Sequence, residues 1–299
     1  MTGRLLLDWA VLAVSFLNTI LLLWLGLTVL LNAERRAWGI WVAAGGLLAG
    51  SAFLVIHSAL FAQGWTRISL GLSLGWLLGW VLIVALPLTW YLVMLWYAGY
   101  WERAQSPLRA RHQPWLAATG LLAAGLLVLL VFANPFPSYG RIVDYETTAA
   151  MALRGIPIVG PAGLAYPLHI LLCIGLSVDV LLRPAPSGRV MGDLARRRAR
   201  PWLLATSLAL LAVSGLVACV ISWVLVSSRW GAAIDPYGPM AVTVARLDLI
   251  INSVLAGALL LLGQAVVSYE IFTGKTLPRR GLRRHWQGVV VLAAGFGLL

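Results

Sequence analysis

Seven polar side chains stand inside otherwise apolar runs: Asn18, His57, Tyr166, His169, Arg246, Asp248 and Asn252. Their types suit two kinds of chemistry, hydrogen bonding to a ligand and the holding or passing of a proton. In hydrocarbon each is costly unless paired, which makes such residues functional-site candidates by default. Counted at about 1.5 Å per residue from the outer end of its run, Asn18 lies ~15 Å deep, His57 ~8 Å, His169 ~12 Å, Arg246 and Asp248 ~8–10 Å, and Asn252 ~16 Å. All of these depths fall in one half of the membrane. The expectation is an outward-facing ligand pocket lined by runs 1, 2, 5 and 7, with Ser58 and Trp80 as further members. Arg246 and Asp248 are two residues apart on one helix, point to different sides and cannot pair with each other, so either must look to another helix, to His57 or His169.

Other chemistry is sparse. The chain has no nucleophile elbow, no HExxH, no phosphate-binding glycine loop and no dinucleotide fingerprint. No cofactor is expected. A b-type haem between His57 and His169 is the minor alternative, since two histidines at similar depth on different helices are the minimum for axial ligation. Cys173 and Cys219 have no Cys or His at metal spacing and read as small buried hydrophobes. His112 and His285, beside arginines, read as solvated.

The elements that must carry these residues follow from composition. Hydrophobic residues make up 61% and charged ones 11% of the 299 residues, against about 25% charged in soluble domains. A soluble globule would lack polar surface, so the chain reads as an all-α, polytopic membrane bundle in one domain. Seven full runs are expected at 8–31, 38–62, 72–98, 115–133, 161–182, 202–227 and 241–269. A partial eighth spans 287–299, short of the ~20 residues a crossing needs. That shortfall reads as a fragment whose output domain lies elsewhere.

The loops after the odd-numbered runs hold 16 of the 22 Lys and Arg. Positive-inside then puts the N-terminus outside and those loops in the cytoplasm. The net charge of +12 therefore points to anionic lipid and not to nucleic acid. Arg196, Arg197, Arg198, Arg200, Arg279, Arg280, Arg283 and Arg284 are the expected anchors to lipid phosphate. The second half of the 183–201 loop suits a short helix lying on the membrane surface. The 134–160 segment, on the outside, is long enough to cover the mouth of the bundle.

An entry signature recurs at the cytoplasmic start of the even runs: Arg36-Ala-Trp38, Arg111-His-Gln-Pro-Trp115, Arg200-Pro-Trp202 and Arg284-His-Trp286. The chain reads as four similar hairpins, either because any inward helix end favours Arg and Trp or because a unit was duplicated. Gly46-xxx-Gly50 and Gly71-xxx-Gly75-xxx-Gly79 let backbones approach closely, within the bundle or across a homodimer. Pro87 and Pro167 should kink their helices.

With its helix plan, Asn32-Ala-Glu-Arg-Arg-Ala-Trp38 and Ser268-Tyr-Glu-Ile-Phe-Thr-Gly-Lys-Thr-Leu-Pro-Arg-Arg280, the chain resembles the multipass, seven-helix-type N-terminal sensor regions of bacterial histidine kinases. The resemblance implies a sensory module in the bacterial inner membrane that detects an unidentified small ligand. It would signal to a kinase domain beyond Leu299, past at least one more crossing. No phosphoacceptor helix or ATP-binding box lies within the chain, so any enzyme activity would belong to that missing part. A small-molecule transporter and an integral subunit of an electron-transfer complex are the alternatives.

The topology has a direct test. A cysteine placed at Ser187 should be shielded from an impermeant thiol reagent in intact cells, and one at Ser138 should label. The reverse pattern would invert the bundle.

Overall fold

In lipid no water is present to satisfy backbone groups, so apolar runs of this length become helices that close their own hydrogen bonds. The computed structural model describes residues 2–31, 38–63, 69–102, 105–132, 159–184, 193–229, 239–269 and 279–298. The helices are α1 Leu5–Leu31, α2 Trp38–Gln63, α3 Leu70–Tyr97, α4 Pro107–Phe132, α5 Val159–Leu182, α6 Asp193–Arg229, α7 Pro239–Tyr269 and α8 Arg279–Leu298. Seven of them, α1 to α7, are long and apolar enough to cross a membrane. The chain is a multi-pass membrane protein with an all-α fold.

The odd helices start and end within a few residues of the sequence expectation. Three even helices do not. α4 begins at Pro107 instead of residue 115, α6 at Asp193 instead of 202, and α8 at Arg279 instead of 287. The hydrophobic pattern marks where a helix enters hydrocarbon, not where it starts. Each of these helices projects further, through its basic segment. At α4 the start is set by Ser106, whose hydroxyl accepts from the Arg109 N–H at 3.1 Å, with Pro107 in the first turn. The separate surface helix expected in the 183–201 loop is corrected: residues from Asp193 onward belong to α6 itself, and Pro201 lies inside it. The expected lid at 134–160 falls almost wholly outside the described residues.

The helices form a ring. Around it run α1, α2, α3, α5, α6 and α7, which returns to α1; α4 packs outside against α3 and α5, and α8 outside against α7 and α1. Shifting every label by four reproduces this pattern: α1·α2 becomes α5·α6, α3·α5 becomes α7·α1, and α4·α5 becomes α8·α1. The structural repeat is therefore four helices, two of the expected hairpins. Because a shift of four preserves helix direction, the two halves are related as by a two-fold axis along the bundle.

Glycine sets the closest approaches. A Cβ at Gly39 of α2 would collide with the Trp96 ring of α3, and one at Gly263 of α7 with the Trp286 ring of α8. At Gly46 it would stand 2.7 Å from Thr89, at Gly50 3.3 Å from Leu22, and at Gly75 3.4 Å from Ile56. These small-residue faces serve packing inside the bundle, while Gly71 meets nothing within 4 Å. Gly39→Leu should therefore destabilise the purified protein by ~1–3 kcal/mol through overpacking, and Gly71→Leu should leave it unchanged. Equal effects in thermal unfolding would remove the distinction between the two sites.

Candidate functional site

The sequence placed one polar pocket in the outer half of the bundle; the structure resolves its members into two groups. The first joins α1, α2 and α7. Asn252 donates from Nδ2 to Asp248 Oδ1 at 3.0 Å and to the Asp248 carbonyl at 3.1 Å. Asn18 donates from Nδ2 to the Asn252 carbonyl at 2.8 Å, with Asn252 Oδ1 at 3.5 Å. Both amide orientations are set by this arrangement, because only an NH2 group can face two acceptors. His57 Nε2 lies 3.5 Å from Asp248 Oδ1. Beside them Ser15 and Ser58 share a hydroxyl bond of 2.7 Å, and Ser51 donates to the Thr19 carbonyl.

Three atoms of this group, Asn18 Oδ1, His57 Nδ1 and Asp248 Oδ2, are buried without a hydrogen-bond partner among the described residues. Two of them are oxygens, so the group is rich in acceptors. What it can do chemically is hold a proton between Asp248 and His57, or order a donor beside Asn18 and Asp248. Four of the seven expected ligand-binding residues meet here: Asn18, His57, Asp248 and Asn252.

Tyr166 and His169 do not join them. His169, fully buried on α5, bonds through Nε2 to the Val84 carbonyl of α3 at 3.0 Å, with Cys173 Sγ 3.8 Å from its Nδ1. Val84 sits one residue after Ile83, whose carbonyl has no N–H to accept from at Pro87. Tyr166 meets Trp80 edge-on, 6.0 Å between ring centroids. His57 and His169 thus turn to different helices and different partners. Arg246 is exposed on α7, away from the Asp248 group.

At the other end of the bundle is a group that sequence reasoning missed. His112 is fully buried, not solvated. Its Nδ1 meets the Tyr91 hydroxyl at 2.9 Å and its Nε2 faces Asp179 Oδ2 at 3.2 Å. Arg111 and Arg183 flank the same carboxylate at 3.8 and 3.9 Å. The available signal was the pairing of His112 on an even helix with Asp179 near the end of an odd one, hidden because His112 was assigned to a loop.

The basic residues also divide. Arg196 is buried; it donates to the Tyr97 carbonyl at 2.7 Å, and the Tyr97 hydroxyl donates back to the Arg196 carbonyl at 2.6 Å. Arg200 donates to the Leu181 and Leu182 carbonyls, both at 2.6 Å. These two arginines close the C-terminal ends of α3 and α5, where unpaired carbonyls favour a cation; buried Arg196 is thereby corrected from a lipid anchor to an internal one, while Arg200 is half-buried. Arg197, Arg198 and Arg284 are exposed and free to face phosphate. The side chains of Arg279, Arg280 and Arg283 fall outside the described residues.

Inside the ring lies a cavity of about 250 Å³. All six ring helices line it, with Leu22, Phe53, Trp90, Ile174, Leu210 and Leu259 typical of its wall. Pro87 is also part of the wall. Among the described residues no charged side chain is.

No family model, curated protein or solved structure matches the chain. The class defined by fold and site is a polytopic helical bundle with a duplicated contact pattern, an apolar central cavity and a buried carboxylate group.

The Asp248 group makes an asymmetric prediction. Asn252→Leu should cost ~1–3 kcal/mol by leaving a buried carboxylate oxygen without its amide donor. The double variant with Asp248→Leu should be more stable than that single variant, because donor and acceptor are removed together. Additive losses in chemical denaturation would mean that the two side chains act independently.

Proposed function

We propose that this chain is the sensory membrane module of a bacterial signalling protein, residing in the plasma membrane. A small apolar or amphipathic ligand enters the central cavity, favours one packing of the ring, and passes that bias to a cytoplasmic output. The cavity carries the reading: all six ring helices line it, so an occupant touches both four-helix halves at once. A ligand shifts such an equilibrium only by its difference in affinity for two packings. A site between the halves is where that difference is largest.

Two features favour this over a carrier. An uncharged apolar molecule crosses a bilayer unaided and needs no transport. The Arg196–Tyr97 pair also ties α6 of one half to α3 of the other at the cytoplasmic ends, a link that alternating access would have to break. The observation on the carrier's side is the repeat itself, since transporters place substrate where two repeats meet. The Asp248 group is then a tuning element beside the site, and the exposed Arg197, Arg198 and Arg284 fix the module against anionic lipid. The resemblance to kinase sensor regions is the ground for placing a histidine kinase among the candidate outputs, and a homodimer fits that class of protein.

An alkyl diazirine photoprobe tests the site. In purified protein it should form adducts on Phe53, Trp90, Leu210 or Val213, and Val213→Trp should abolish them. Outward-facing Leu121, Val131 and Phe132 should label in both proteins. Adducts confined to those outward positions would remove the cavity as a binding site.

A further inference from the structure

We infer that the central cavity selects an uncharged apolar molecule bearing an O–H or N–H donor; this rests on the cavity being the ligand site proposed above. The argument is one of proton accounting. The polar groups in the cavity wall include the hydroxyls of Thr89, Thr206 and Ser214 and the indole of Trp90. A hydroxyl has one proton to give and two lone pairs to offer.

Each of these protons is already committed. Thr89 donates to the Ala85 carbonyl at 2.9 Å, Thr206 to the Trp202 carbonyl at 2.9 Å, and Ser214 to the Leu210 carbonyl at 2.7 Å. The Trp90 Nε1–H is given to Ser207 Oγ at 3.2 Å. These polar groups therefore offer an entering molecule acceptors and no free donor.

A ligand carbonyl or carboxylate would have to take a proton from a helix carbonyl, exchanging one bond for another. A ligand O–H or N–H adds a bond without breaking one. An unpaired polar group on the ligand is penalised in so apolar a space, so the preference cuts against acceptor-only molecules. A charged ligand is disfavoured further, since no charged side chain among the described residues lines the cavity. Size narrows the class again: a dry cavity of about 150 Å³ takes benzene, so about 250 Å³ suits a bicyclic aromatic or a short branched alcohol.

Indole and indene are the probes, nearly equal in shape and differing in the N–H. Each is titrated against the diazirine photolabel in wild-type protein and in the variant Thr89→Val/Thr206→Val/Ser214→Ala. The measured quantity is the indole-to-indene affinity ratio, and comparing that ratio between the two proteins cancels partition into detergent. The ratio should fall several-fold in the variant, with indene binding unchanged as the sign that the cavity is intact. An equal ratio in both proteins would overturn the donor preference while leaving the cavity as a site. Failure of both probes to displace the label from cavity residues would overturn the inference together with the ligand-binding reading beneath it.

Discussion

Apolar side chains gain nothing by leaving lipid for protein, so this bundle cannot be held together as a soluble core is. Cohesion must come from close packing and from polar bonds between helices. Both are visible, and they are distributed differently. α2 and α3 approach through Gly39 against Trp96 and Gly46 against Thr89. α1 and α7 meet through the hydrogen bond that the Asn18 side-chain amide donates to the Asn252 carbonyl. α3, α5 and α6 are joined at one end of the bundle by Arg196 and Arg200, which serve helix carbonyls that would otherwise lack donors. Each device removes a polar or steric problem that lipid would not solve.

The repeat shows how one contact plan accepts different chemistry. The α4·α5 and α8·α1 packings are equivalent under the shift of four helices. In the first, His112 is buried against Asp179 and Tyr91, with Arg111 beside the carboxylate. In the second, Trp286 packs on Trp24 with ring centroids 5.2 Å apart. A histidine beside a carboxylate in one half thus stands where the other half has an aromatic stack. Backbone topology has been kept while the joint between outer and inner helices has been filled in two ways. The halves will not respond alike to the same perturbation, because the charged joint depends on protonation and the aromatic one does not.

The helices and their membrane character were legible in the sequence because hydrocarbon imposes a length and a polarity that few residues can evade. The even helix starts were not. The Arg-rich stretches before Trp115, Trp202 and Gln287 look like loops to a hydropathy count, yet helix continues through them at no cost once outside the lipid. Treating Arg111-His112 as loop then hid the contact of buried His112 with Tyr91 and Asp179. The polar cluster was half legible. Depth placed Asn18, His57, Asp248 and Asn252 in one half of the membrane, but His169 shares that half from the opposite side of the ring. Depth is one coordinate, and rotation about each helix axis is set by packing that a single run does not encode. The central cavity gave no signal at all, since its wall is made of the same Leu, Ile and Val as the rest.

α3 gives the proposed signal a physical route. Between Leu86 and Val93 it forms part of the cavity wall, and Pro87 interrupts its hydrogen bonding there. One residue beyond Trp90, Tyr91 faces away to His112 of α4 and through it to Asp179 of α5. Two turns further on, Tyr97 is bonded to Arg196 of α6. A helix weakened at a proline bends at lower cost than a continuous one, and a molecule seated against Thr89 and Trp90 presses on that point. Any tilt of the segment below it must be shared by α4 and α6, which the Tyr91–His112 and Tyr97–Arg196 bonds tie to α3, and by α5, which His112 meets through Asp179. On the proposed reading, a local shape change at the cavity thereby becomes a concerted displacement at the cytoplasmic ends of four helices, which is the form an output domain can read.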